Sequence, residues 1–219
     1  MSLTLHQHPF ASYCWKALIA LYEREVPFEP ALVETPEDWA ALAELYPMSK
    51  MPVLIDHDAG VTLPESSPVI EYLDRFGNAP PMVPSNPDIA LIARLRDRIF
   101  DSYVMTPMQK IVLDNLRPEG EGDAFGVNQA REDLDGSYAY LNDLLTDQWA
   151  AGEEFTIADC SAAPSLHYAR AVHRWDEGAL PGLTAYFERL MARPSVARVV
   201  DEARPYREIF PPGWPDYMD

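Results

Sequence analysis

Pro52, standing directly before the short apolar run Val53-Leu54-Ile55, most narrows what this 219-residue chain can fold into. Proline donates no backbone hydrogen bond, so it is tolerated where a strand begins and excluded from a strand's middle. If the Met51–Pro52 bond is cis, the backbone of Met51 is left unpaired and turned outward. Such a backbone can pair with an extended peptide as a strand edge does. Further on, Pro64-Glu65-Ser66-Ser67-Pro68-Val69-Ile70 places an acid and a hydroxyl at the opening of an apolar helix. The N–H groups and positive dipole end of a helix N-terminus favour a carboxylate, while Glu65 can hold an ammonium. Together the two motifs suit a small zwitterionic peptide. Taken singly, each has a plainer reading, as a strand start and a helix cap.

Around these motifs the pattern alternates between strand and helix. Leu3 to His6 reads as a strand, and from Ser12 the residues Trp15, Leu18, Ile19 and Tyr22 recur at helical spacing. Val26-Pro27 ends that helix, since a proline disfavours helix in the residue before it. Phe28 to Val33 reads as a second strand. Thr35-Pro36-Glu37-Asp38 carries the hydroxyl, proline and acids of a helix start, and Trp39, Leu42 and Leu45 form its apolar side. Met51–Asp56 and Val61–Leu63 read as a hairpin turned at Asp58-Ala59-Gly60. Ser66–Phe76 is the next helix, with Gly77 as its C-cap. Residues 1–77 therefore read as one β-α-β-α-β-β-α unit. The proline-rich stretch 78–87 reads as a linker.

Residues 88–219 read as helical throughout. Ile89, Ile92, Leu95, Ile99 and Tyr103 form one stripe; 118–126 is a glycine-rich break; Leu134, Tyr138, Leu141 and Leu145 share a face of a helix over 130–145. Thr156 and Asp159 form a capping box before the helix that follows, with Phe155 and Cys160 as its staple.

A net charge of −18 disfavours binding to nucleic acid or to an anionic membrane. No apolar run approaches the length of a membrane span. Two cysteines, Cys14 and Cys160, imply no disulfide framework and suit a reducing cytoplasm, and no secretory leader is read at the N-terminus. His6 with His8, and His167 with His173, lack the partners that would make a metal set. No phosphate loop or dinucleotide motif is present.

The ordered pair Met51-Pro52 and Glu65-Ser66, with the Thr156-to-Asp159 box far downstream, resembles the cytosolic glutathione transferases. The resemblance spans nearly the whole chain. It implies a thioredoxin-like α/β domain followed by an all-α bundle, assembled as a homodimer. It also implies that Met51 pairs with the cysteinyl backbone of glutathione and that Glu65 and Ser66 hold its γ-glutamyl end. Lys50, beside Pro52, is the obvious local cation for this anionic peptide. Glutathione would be a co-substrate, and no separate cofactor is implied.

Such enzymes act by stabilising the thiolate of bound glutathione with a hydroxyl and the N-terminus of the first helix. Here that segment is His8-Pro9-Phe10-Ala11-Ser12-Tyr13-Cys14, and the helix register puts Ala11 where serine-type members carry their catalytic serine. Ser12, one position later, is the first candidate for that role; it also reads as an ordinary N-cap. Tyr13 is the second, and the helix dipole a third. Cys14 lacks the preceding cysteine of a dithiol motif, so its reading is a packed thiol. Phe10, Tyr103, Met105 and Met108 are candidate walls for a small apolar electrophile, with Trp214 and Tyr217 of the tail as a possible cover. The implied function is glutathione transfer. Its rivals are a non-catalytic glutathione- or ligand-binding protein, favoured by Ala11, a glutathione-dependent isomerase or dehalogenase, and a disulfide reductase.

Overall fold

The computed structural model describes residues 2–218. The first part is built from β1 (Leu3–Gln7), α1 (Ser12–Glu23), β2 (Glu29–Leu32), α2 (Pro36–Leu45), β3 (Val53–Asp56), β4 (Val61–Pro64) and α3 (Ser66–Leu73). The sheet order is β2-β1-β3-β4. Strand β1 runs parallel to β2 and antiparallel to β3, which forms a hairpin with β4. This is the expected thioredoxin-like arrangement.

Helix α1 is buried from Cys14 to Leu21 without interruption, because it is packed by α3 and, from the second part of the chain, by α7 and α9. A helix apolar nearly all round must lie inside. Helix α2 is the opposite case. Its capping box from Thr35 to Asp38 is complete, but only Leu42 is buried; Trp39, expected on its apolar side, is 42% exposed.

The second part comprises α4 (Pro87–Ile99), a π-helical segment (Phe100–Met105), α5 (Thr106–Asp114), α6 (Ala124–Leu144), α7 (Ile157–Val172), α8 (Pro181–Met191) and α9 (Pro194–Ala203), followed by 3₁₀ turns over Arg204–Ile209 and Asp216–Met218. The π segment has a local cause. Pro107 has no N–H to give the carbonyl of Tyr103, and prolines bulge the turn before them. Ser137 of α6 donates its hydroxyl to that carbonyl instead, at 2.7 Å. Helix α7 is buried along almost its full length. Its capping box is present, and Asp159 also accepts from Ala150 N–H and the Tyr186 hydroxyl, both at 2.7 Å. One apolar core runs through both parts, with a small separate cluster of Val33, Leu42 and Val53.

Several expectations change. Most of the apolar stripe of the first long helix points outward: Leu95 is 57% exposed and Tyr103 63%, with only Ile99 half-buried against the core, while Ala90, Ala93 and Asp97 face inward. Helix α6 begins inside the stretch read as a break. Helix α3 ends at Leu73, so Gly77 is not its cap. Gly77 has φ +73°, and a Cβ there would lie 2.9 Å from the Arg24 carbonyl; glycine permits that close approach. Arg24 itself anchors the linker. Its guanidinium donates to the carbonyls of Leu73, Phe76, Ala79 and Pro80.

Candidate functional site

A cavity of about 870 Å³ opens between the two parts of the chain. Its floor is the N-terminal end of α1, one wall is the segment before β3, and the other walls come from α5 and the turn after α9. Among the expected site residues, Phe10, Ser12, Lys50, Met51 and Met108 line it together, with Ala11 and Tyr13.

Helix α1 is capped by Ala11, which has no side chain able to accept from the first N–H groups. Ser12 is the first helical residue rather than the cap. Its hydroxyl makes no hydrogen bond with any described residue, so it is free to donate to a ligand atom held at this helix end. Tyr13 is half-buried, and burial pushes its phenol up to about 12, with the nearby Asp101 carboxylate adding to the effect. It remains a neutral donor at physiological pH. Cys14 is fully buried, and burial pushes its thiol up to about 12. A thiol so protonated and enclosed is not a nucleophile, which disfavours the disulfide-reductase reading.

The Met51–Pro52 peptide is cis. Pro52 is buried, and the backbone of Met51 pairs with no described residue. Strand pairing fixes where the second motif stands relative to it. Val53 of β3 faces Pro64 of β4, so Met51-Pro52 and Glu65-Ser66 leave the same end of the hairpin. Glu65, Ser66 and Pro52 lie beside the cavity rather than lining it. Glu65 has φ +70°, a backbone conformation that residues with side chains avoid at a cost of order 1–3 kcal/mol. The Tyr46 hydroxyl donates to its Oε1 at 2.9 Å. Such strained residues cluster at ligand clamps. Ser66 is 5% exposed, and the N–H groups of Ser66 and Ser67 open α3 without helical acceptors.

Two expected walls are not there. Tyr103, in the π segment, points to solvent and is 63% exposed. Met105 is wholly inside the core. The α5 side of the cavity is instead Met108, Gln109, Val112 and Leu113. The tail contributes through Tyr206, Ile209, Phe210 and Pro211. Trp214 lies behind them, packed on Phe10 and Phe210 at centroid distances of 6.1 and 5.4 Å. Tyr217 is tied to the Arg170 carbonyl.

A buried charged cluster supports the site from behind. Lys16 of α1 is fully buried; its Nζ lies 2.8 Å from Asp101 Oδ2, 3.0 Å from Asp97 Oδ1 and 3.0 Å from Ser67 Oγ. The Ser67 and Ser161 hydroxyls both donate to Asp97. Helices α1, α3 and α4 and the π segment therefore meet on one ammonium next to the Ser66 end of α3, and Ser161 ties α7 to it through Asp97. None of this was expected. Lys16 and Asp97 look like breaks in apolar stripes, and periodicity does not reveal that they face each other. The contact of Tyr46 with Glu65 was equally hidden.

Residues 5–81 match the profile of the glutathione S-transferase N-terminal domain, and residues 123–189 that of the C-terminal domain. A glutathione S-transferase from Methylobacterium radiotolerans, solved in complex with glutathione sulfonate, is 30% identical, with a TM-score of 0.78 over 91% of this chain and 95% of that one. Among curated proteins, the chain is 28% identical to a stringent starvation protein A homolog of Haemophilus influenzae over 93% of this chain and 92% of that protein. It is also 28% identical to FtsZ-localized protein A of Caulobacter vibrioides over 74% of this chain and 75% of that protein.

Proposed function

The chain belongs to the cytosolic glutathione S-transferase family, and on that basis we propose that it binds glutathione and transfers it to a small apolar electrophile. The observation that carries this reading is a shared cavity. The unbonded Ser12 hydroxyl at the start of α1 and the unpaired backbone of Met51 line it together. A peptide paired along Met51 as an extra strand would bring its central residue to the α1 N-terminus. Glu65 would take its ammonium, the α3 N–H groups the adjoining carboxylate, and Lys50 offset its remaining negative charge.

In the reaction the thiol proton leaves to solvent. The thiolate is held by the Ser12 hydroxyl and the positive end of α1. Its lone pair forms a carbon–sulfur bond while the electrophile's leaving group departs with the electrons of the bond it breaks. Phe10, Met108, Val112 and Leu113 supply an apolar surface that excludes water from that step. Glutathione acts as co-substrate, with no further cofactor.

We also propose a homodimer. The outward stripe of α4, with Leu91 68% and Leu95 57% exposed, is a contiguous apolar face of the kind that a second subunit covers.

Titration with glutathione while following thiolate absorbance against pH tests the catalytic reading. A bound-thiol pKa well below the free value supports transfer. Binding with an unshifted pKa would replace transfer by a second reading, a glutathione-binding protein without turnover. Ala11 at the α1 cap favours that alternative, as does similarity to two proteins whose names do not mention transferase activity.

A further inference from the structure

One side of the cavity is not apolar. His8, at the end of β1, Glu34, just beyond β2, and Tyr206, after α9, converge there, and all three line the cavity. The Tyr206 hydroxyl donates to Glu34 Oε1 at 3.1 Å. The His8 Nε2 atom faces the same oxygen at 3.6 Å, and the two rings meet edge to face at 4.6 Å. The His8 Nδ1 atom accepts the Phe10 N–H at 3.1 Å, so in the neutral ring the proton is on Nε2, turned to Glu34. Burial lowers the pKa of His8, and burial with the bond to Glu34 raises that of Tyr206. The cluster therefore carries one negative charge, that of Glu34. Glu34 Oε2 accepts no hydrogen bond from any described residue, and its side chain is 43% exposed. Lys50, the one ammonium among the described cavity-lining residues, forms no ion pair with it.

We infer that Glu34, aimed by Tyr206 and His8, is a specificity residue that selects electrophiles with an apolar body and a cationic amine. The proposal rests on the glutathione reading above and adds the substrate class to it. The apolar body would lie against Phe10, Met108, Val112 and Phe210, and the ammonium would meet Oε2. A carboxylate-bearing electrophile would meet the same oxygen as a like charge. Charge-assisted bonds at a half-exposed carboxylate give selectivity of about tenfold.

Stable conjugates test this without turnover. Binding of glutathione, S-benzylglutathione and its para-aminomethyl and para-carboxyl derivatives would be measured by calorimetry on the full chain and on Glu34→Gln. The expected result is about tenfold tighter binding of the aminomethyl than of the carboxyl conjugate, with the ratio collapsing towards one in Glu34→Gln. Equal binding of the two conjugates by the unaltered protein, with glutathione still bound, overturns this inference alone. A preference that survives in Glu34→Gln also overturns it. Failure of glutathione itself to bind overturns the glutathione reading and this inference with it.

Discussion

Lys16 and Asp101 join the two parts of the chain through a buried ion pair, with the ammonium 2.9 and 2.8 Å from the two carboxylate oxygens. Burial pushes the Asp101 carboxyl up and the Lys16 charge pulls it back. Removing one member of such a pair costs more than the pair contributes, because the other is left charged and dry. Lys16→Met is therefore expected to lower stability by roughly 3–5 kcal/mol in urea unfolding. Adding Asp97→Asn and Asp101→Asn should recover most of the loss. A single variant as stable as the unaltered chain would contradict the role given to Lys16.

Glu65 combines a strained backbone with an exposed carboxylate held by Tyr46. Glycine tolerates φ +70° without strain. Glu65→Gly is expected to leave stability unchanged or raise it by about 1 kcal/mol, while weakening glutathione binding about tenfold or more. Unchanged affinity would remove Glu65 from the binding site.

Ser12 is the proposed thiolate donor. Ser12→Ala should raise the pKa of the bound thiol and lower kcat/KM by about 10²-fold, the usual effect of losing one preorganised donor. Tyr13→Phe should change both far less. The reverse ranking would move the role to Tyr13.

Asp159 sets a pH dependence of stability. Burial outweighs its hydrogen bonds and raises its pKa from 3.8 to about 6. The folded chain thus keeps a proton that the unfolded chain releases, and stability falls as pH rises between those two values. The gap corresponds to about 3 kcal/mol. Relative to Asp159→Asn, the unaltered protein should lose up to that amount between pH 4 and 6 and change little above. A difference that grows in the opposite sense would show that the four hydrogen bonds to the carboxylate prevail over burial.

The α4 face yields a test by size. Leu91→Glu with Leu95→Glu places two charges on the exposed stripe without touching the core. Sedimentation should report a dimer for the unaltered chain and a monomer for the variant. A monomer in both cases would leave the stripe without a subunit partner.

Local rules settled much of this chain. Periodicity and prolines placed β1 through α3 in order, because the spacing of apolar residues follows directly from which face each element buries. The Thr156-to-Asp159 capping box was readable for the same reason, since its bonds form within one turn. So was the likeness that Met51-Pro52 and Glu65-Ser66 carry. Tertiary structure decided what depends on elements distant in sequence. It sent Leu95 and Tyr103 outward, because the inner side of α4 was taken by small residues and Asp97, and because Pro107 drew the next turn into a π bulge. It joined Lys16 to Asp97 and Asp101, and Glu34 to His8 and Tyr206. Those contacts close over long stretches of chain, and a charge in an apolar stripe does not announce the partner that will neutralise it.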